Sequence, residues 1–446
     1  MRERQLRERQ LDDQQRDARE PRHQGRHGRH GRHGIALAFF AAAIVTASVL
    51  TASGALSTPT PPQPPAASQN WVTAWGASPV VGSDIPGSTC PAGTGLTDQT
   101  VRNVVFLSAG GDSVKVRLSN TFGTQDMLIG HATVAVQSAG AAAVPGTVRN
   151  LTFGGQSSVT IAAGADALSD PIPLSVAPLS TLLVSVYVPG PTGPVTNHPF
   201  TAQGNYLGSG DLSQQAGDAG YGDTPCWMFV DGVDVRAPER VAGSVVALGD
   251  SITDTAVTTG NANHRWPDDL ARRLNALNGK TLSVVNAGLG GNRLLESRPG
   301  QPYYGIPALA RLDHDVFAQA GVRDVILLEG VNDIGFQATA AQIISADEQI
   351  IAQAHEQGLR IFGATITPFG GSIIDSPAAE QTRDAVNHWI MTSHAFDGVI
   401  DFAAAVADPA NPDMLAPAYN SGDHLHPNDA GCQAMANAIN LRLLLR

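Results

Sequence analysis

Gly249-Asp250-Ser251 follows directly on the apolar run 244–248, whose unbroken hydrophobicity is that of a strand buried on both faces. A serine there stands at a strand's carboxyl end. Its own N–H and any helix dipole that follows would stabilise a developing oxyanion. A bare Gly-Asp-Ser also suits a helix-capping turn, so the tripeptide needs company. The run 286–292 reads Asn-Ala-Gly-Leu-Gly-Gly-Asn, with glycine at 288, 290 and 291. Such glycines let backbone approach a ligand and free N–H groups to point at it, or simply make a tight turn. Gly330-Val331-Asn332-Asp333 closes a third apolar run, and the Asn332 amide there could be an oxyanion donor or a helix cap. Asp423-His424-Leu425-His426-Pro427 supplies a base, because a serine nucleophile needs an imidazole oriented by a carboxylate. Asp423 lies three residues before His426, close enough in a loop to fold back onto its ring. His424 is the competing base.

These four blocks need a common frame, and the pattern from 242 onward supplies one. Strands are expected over 244–248, 282–285, 325–328, 360–366 and 399–402. Helices are expected over 267–277, 308–320, 340–357, 378–393 and 427–445. Pro267 in a first turn, with Asp268 and Asp269 beside it, suits a helix start. Alternating strands and helices make an α/β fold with a parallel sheet covered on both faces. Chemistry in such sheets sits beyond the carboxyl ends of the strands.

Residues 71–241 have a different grammar. Val114, Val116 and Leu118 alternate with Lys115 and Arg117, one face apolar and one wet. Further strand-like runs at 101–107, 128–136, 148–153, 159–162 and 182–188 are separated by Gly, Asn, Asp or Pro turns. Short strands at this spacing predict an antiparallel β-sandwich-like domain. A Pro-rich spacer, 57–70, precedes it and stays extended.

The chain has 446 residues and a net charge of −12, with 28 Lys+Arg against 40 Asp+Glu. The distribution is uneven, because residues 1–34 hold ten Arg and six acids, leaving 18 basic and 34 acidic residues beyond. That acidic body argues against nucleic acid as a partner. The basic tail, the apolar run from Ile35 and the small residues near Ala55 predict a signal peptide within 1–56. If uncleaved, the run 35–56 would be an anchor and the protein's one membrane contact. In an exported protein Cys90 and Cys226 are the expected disulfide pair, leaving Cys432 free; three cysteines cannot make a disulfide framework.

Taken together, the blocks Gly249–Ser251, 286–292, 330–333 and 423–427 resemble the SGNH, or GDSL-type, hydrolases in order and spacing over about 200 residues. By position the resemblance implies Ser251 as nucleophile, with its own N–H, the Gly291 N–H and the Asn332 amide as oxyanion donors. It likewise implies His426 as base and Asp423 as its partner. It further implies a flavodoxin-like three-layer α/β/α domain over 242–446, an ester substrate, and neither metal nor organic cofactor. The leading domain, with 70–79 and 117–123, looks like the β-domain of some secreted bacterial members.

Two other readings compete. In a metal-dependent hydrolase or phosphoesterase, Asp250, Asp333, Asp423, His424 and His426 would be ligands. In a glycan-binding protein with an inactive hydrolase domain, Trp71, Trp75 and Trp227 would form a sugar-stacking face, although scattered tryptophans more often lie in cores. Export and a β-rich companion suit acyl groups on carbohydrate. The lack of a long amphipathic lid suits small or sugar-linked acyl groups over lipid. His264, Arg265, Tyr303 and Tyr304 flank the blocks.

Overall fold

Val241–Gly249, Thr281–Gly288, Val322–Leu328, Arg360–Ala364 and Gly398–Ile400 form an all-parallel sheet in the computed structural model. The structure describes residues 70–255 and 257–446. In space the second strand lies at the edge beside the first, followed by the third, fourth and fifth. That order is the flavodoxin-like one, with its switch point between the first and third strands. Val245, Val246, Ala247 and Leu248 are fully buried, as a strand covered on both faces must be.

The helices begin where their capping chemistry says they should. Thr339 and Gln342 exchange side-chain and backbone bonds at the start of Ala340–Glu356, and Ser376 caps Pro377–Thr392. These two helices pack together, as do Trp266–Asn275 and Asp429–Ala438. With the sheet between the pairs, the fold is a three-layer α/β/α sandwich.

Several expected elements come out differently. The helix expected over 308–320 is a short 3₁₀ turn, Ala308–Ala310, then a π-helical turn, Asp313–Phe317. The intervening Arg311 is nearly fully buried and bonds to the ends of two strands, which overrides helical periodicity. The expected last helix is split into Asp429–Ala438 and Leu441–Leu444, each capped by an asparagine, Asn428 and Asn440. The Arg273 guanidinium takes the carbonyls of Ala436 and Ile439 at the break. The fifth strand ends at Ile400 because the Asp401 carboxylate caps a short helix, Phe402–Val406.

Before the parallel sheet lie two antiparallel sheets. One contains Trp71–Gly76, Val230–Arg236, Gly111–Ser119 and Ile172–Val176, in that order, with Asp166–Leu168 beside Gly111–Ser119. In the other, Gln99–Phe106 and Thr181–Val188 are central, flanked by Asn205–Ser209 and His131–Ala139. Val114, Val116, Val233 and Val235 of the first meet Val101, Val105, Val134 and Val184 of the second in one core. A disulfide joins Cys90 to Cys226, and Cys432 is free and buried. Trp75 and Trp227 are buried edge to face, with the Trp227 indole donating to the Val104 carbonyl; they are core residues and present no stacking surface. The antiparallel sheets and the α/β/α layers lie within a single compact unit, Asn70–Arg446. The basic tail, the apolar segment and nearly all of the Pro-rich spacer fall outside the described residues. No described helix is long and apolar enough to cross a membrane.

Candidate active site

Strand register brings the first three blocks to one edge. Gly249 pairs with Gly288 on one side and with Leu328 on the other, so the three strands end level. Past Gly249 the Asp250 carboxylate caps the short helix Ser251–Asp254, accepting from the Ile252 N–H at 2.8 Å. Ser251 is therefore the first residue of that helix, with its side chain half-buried. Past Gly288 the chain turns through Gly291, whose φ is +71° and where a Cβ would strike the Tyr304 ring. Past Leu328, Gly330 precedes the helix Val331–Gly335 and sets Asn332 in its first turn.

The fourth block is a loop wound around one carboxylate. Asp423 Oδ1 accepts from the backbone N–H groups of Leu425 and His426 and from the Ser421 hydroxyl. Its Oδ2 lies 2.7 Å from His426 Nδ1, and His426 Nε2 lies 2.8 Å from Ser251 Oγ. Burial by itself would raise the Asp423 carboxyl. The bonds from the His426 ring and from the two backbone N–H groups outweigh it and hold the group well below the usual carboxylate range. An ionised Asp423 fixes the tautomer that carries hydrogen on Nδ1, which leaves Nε2 free to accept the serine proton. His424 is turned elsewhere, with its Nδ1 3.0 Å from the Asn420 amide.

The oxyanion candidates share one feature. Among the described residues, the N–H groups of Ser251 and Gly291 donate to no acceptor. The Asn332 amide spends one hydrogen on the Asn292 carbonyl at 2.8 Å, which leaves its second. Unspent donors at the level of the nucleophile are what an oxyanion hole requires. Asp333, next in the chain, accepts from the Leu294 and Leu295 N–H groups and so locks the second block to the third.

Residues offered to the metal reading have other tasks. Asp250 caps a helix, Asp333 binds backbone, and Asp423 and His426 bind each other. Among the described residues their donor atoms do not gather as a ligand set. Asp250, Glu329 and Asp333 are instead buried acids whose carboxyls desolvation pushes upward.

Residues 247–434 match the model of the GDSL-like lipase/acylhydrolase family, a span that includes all four blocks. The C-terminal part of this chain belongs to that family. It is a domain of carboxylic ester hydrolases. No curated protein matches the chain. Three solved structures that resemble it do so over under half its length. A putative lipolytic protein of the G-D-S-L family from Desulfitobacterium hafniense is 21% identical, covering 44% of this chain and 97% of its own, with a TM-score of 0.35. A carbohydrate acetylesterase from Sinorhizobium meliloti is 14% identical over 46% of this chain and 99% of its own, with a TM-score of 0.37. An aryl esterase from M. smegmatis is 15% identical over 46% and 99%, with a TM-score of 0.36.

Four residues around this GDSL-type site carry no motif in the sequence. Arg298 donates from Nε to the Gly291 carbonyl and from Nη2 to Asn332 Oδ1. Arg311 reaches the carbonyls of Gly249 and Ala287, the Asn292 side chain and Ser78 of the antiparallel part. Tyr304 backs Gly291, and Phe200 of the antiparallel part stacks on Tyr304 with ring centres 6.0 Å apart. Only Tyr304 had a signal, its position flanking the second block.

Proposed function

We propose that the protein is an exported serine esterase that cleaves short-acyl or carbohydrate-linked carboxylic esters through an acyl-enzyme. The observation that carries this reading is the unbroken chain Asp423–His426–Ser251, with contacts of 2.7 and 2.8 Å. His426 Nε2 takes the Ser251 proton as Oγ attacks the ester carbonyl. The carbonyl oxygen becomes an oxyanion that the Ser251 N–H, the Gly291 N–H and the Asn332 amide receive. The imidazolium, held by Asp423, returns the proton to the leaving alcohol. Water, deprotonated by the same imidazole, then attacks the acyl-serine and releases the acid.

Export is supported by the tail and apolar segment of the sequence and by the Cys90–Cys226 disulfide, since such bonds persist in oxidising compartments. A short acyl group is favoured by the aromatic cluster of Phe200, Tyr303 and Tyr304 packed beside Gly290 and Gly291, which narrows the space at that side. Ser251→Ala is expected to fold normally and to lose roughly 10⁶-fold in kcat on a chromogenic acetate ester. Wild-type turnover by that variant would end the proposal. A panel of acetate, butyrate and octanoate esters with acetylated glycans reads the substrate directly, and the acetates are expected to turn over fastest.

A further inference from the structure

We propose that Arg298 is a positioning residue that assembles the oxyanion hole by holding two of its donors at once. The proposal rests on the serine-esterase reading above. Arg298 is 4% exposed and lies in the loop between the second block and Tyr303. Its guanidinium is a planar fork. One arm, Nε, donates at 2.9 Å to the carbonyl of Gly291, and another, Nη2, donates at 2.8 Å to Oδ1 of Asn332. Neither acceptor is the atom that would touch substrate. Each belongs to the residue whose N–H would.

The consequence is geometric. An asparagine amide can flip, exchanging its oxygen for its NH₂ group. A cation bound to Oδ1 at one end, and the Asn292 carbonyl receiving Nδ2 at the other, permit one orientation only. That orientation leaves the second amide hydrogen for an oxyanion. Holding the Gly291 carbonyl likewise restrains a glycine that sits in the left-handed region at φ +71°. The fork itself is fixed by aromatic faces. The guanidinium carbon lies 4.2 Å from the Tyr304 ring centre and 5.1 Å from that of Phe336. Phe200 stacks on Tyr304, so the antiparallel part buttresses the arrangement. Lysine cannot replace this fork, because an ammonium is a point donor without a plane.

The test compares Arg298→Lys and Arg298→Gln with wild type and with Ser251→Ala on the full chain. Misplacing donors by about an ångström costs on the order of 10²-fold, so both Arg298 variants are expected to lose about that in kcat with KM within twofold. Affinity for an alkyl boronic acid, whose serine adduct carries the oxyanion, is expected to fall in parallel. Adding Asn332→Ala to Arg298→Lys is expected to cost less than the product of the single losses, because Arg298 acts in part through the Asn332 amide. Wild-type kcat in both Arg298 variants overturns the proposal, as does a kcat loss with unchanged boronate affinity. Failure of both to fold assigns Arg298 to stability and overturns it too. Activity in Ser251→Ala would instead sink the esterase reading, so the two failures are distinct.

Discussion

At the scale of single residues, Asp423 has the most work to do. Its two oxygens receive the His426 ring, two backbone N–H groups and a serine hydroxyl, so it fixes both the imidazole's tautomer and the loop that carries it. Asp423→Asn would keep the shape but present an amide to Nδ1, favouring the wrong tautomer. A loss of about 10⁴-fold in kcat is expected, with substrate binding nearly unchanged. Steady-state kinetics on a soluble acetate ester check this, and a loss below tenfold would argue that another group orients the base. Because Asp423 stays ionised well below the usual carboxylate range, its own protonation should not shape the activity profile between pH 5 and 8.

At the scale of elements, three level strand ends and the turns after them do the positioning. Gly291 is the turn with least tolerance. An alanine there would sit at φ +71° and drive its Cβ into the Tyr304 ring. Gly291→Ala is therefore expected to displace the N–H, with kcat falling on the order of 10²–10³. Strain of about 1–3 kcal/mol should lower the melting temperature as well. Kinetics combined with thermal melting separate the two effects, and an unchanged kcat would remove Gly291 from the oxyanion hole. The elements themselves were legible to unequal degrees. Strands buried on both faces announce themselves as unbroken apolar runs, so all five strands are legible in the sequence, although the fourth and fifth end earlier than expected, at Ala364 and Ile400. The segment 308–320 reads as a helix because its apolar spacing fits one. Its backbone is instead bent around Arg311, whose partners lie as far as 233 residues away.

At the scale of the whole molecule, the antiparallel and α/β/α parts are joined by polar contacts, some buried and some half-exposed. His198 lies between the Ser78 carbonyl and the carboxylate of Asp254, on the helix that begins at Ser251. Arg311 bonds to Ser78 as well as to the strand ends. A third link is His314, with Nε2 3.0 Å from Asp166 and 3.1 Å from Asp231, and Nδ1 2.8 Å from Asp315. Burial would lower the His314 pKa, but these carboxylates push it up to about 12, while Asp166 is held down at about 2. A raised imidazole pKa gives stability that is complete below the unfolded value of 6.5 and declines as pH rises towards the folded one. His314→Gln is thus expected to lose more melting temperature at pH 5.5 than at pH 9. Equal losses at the two pH values would show that His314 is not held as a cation.

Sequence alone pointed to an ester hydrolase and to the parallel α/β frame that bears its blocks. Serine, glycine, asparagine, aspartate and histidine lie in blocks of three to seven residues, each at the end of a recognisable strand or start of a helix. Such signals survive in one dimension because a strand end, a tight turn and an Asp-to-His reach of three residues are short-range facts. Tertiary structure decided everything that depends on two distant segments meeting. It set His426 rather than His424 against Ser251, joined Cys90 to Cys226, put Trp75 and Trp227 in a core, and left the Ser251 and Gly291 N–H groups without an acceptor among the described residues. It also set Arg298 between Gly291 and Asn332 and brought Phe200 to Tyr304 across the two parts of the chain. A buried guanidinium takes its role from the carbonyls that surround it, and no local pattern records which carbonyls those will be.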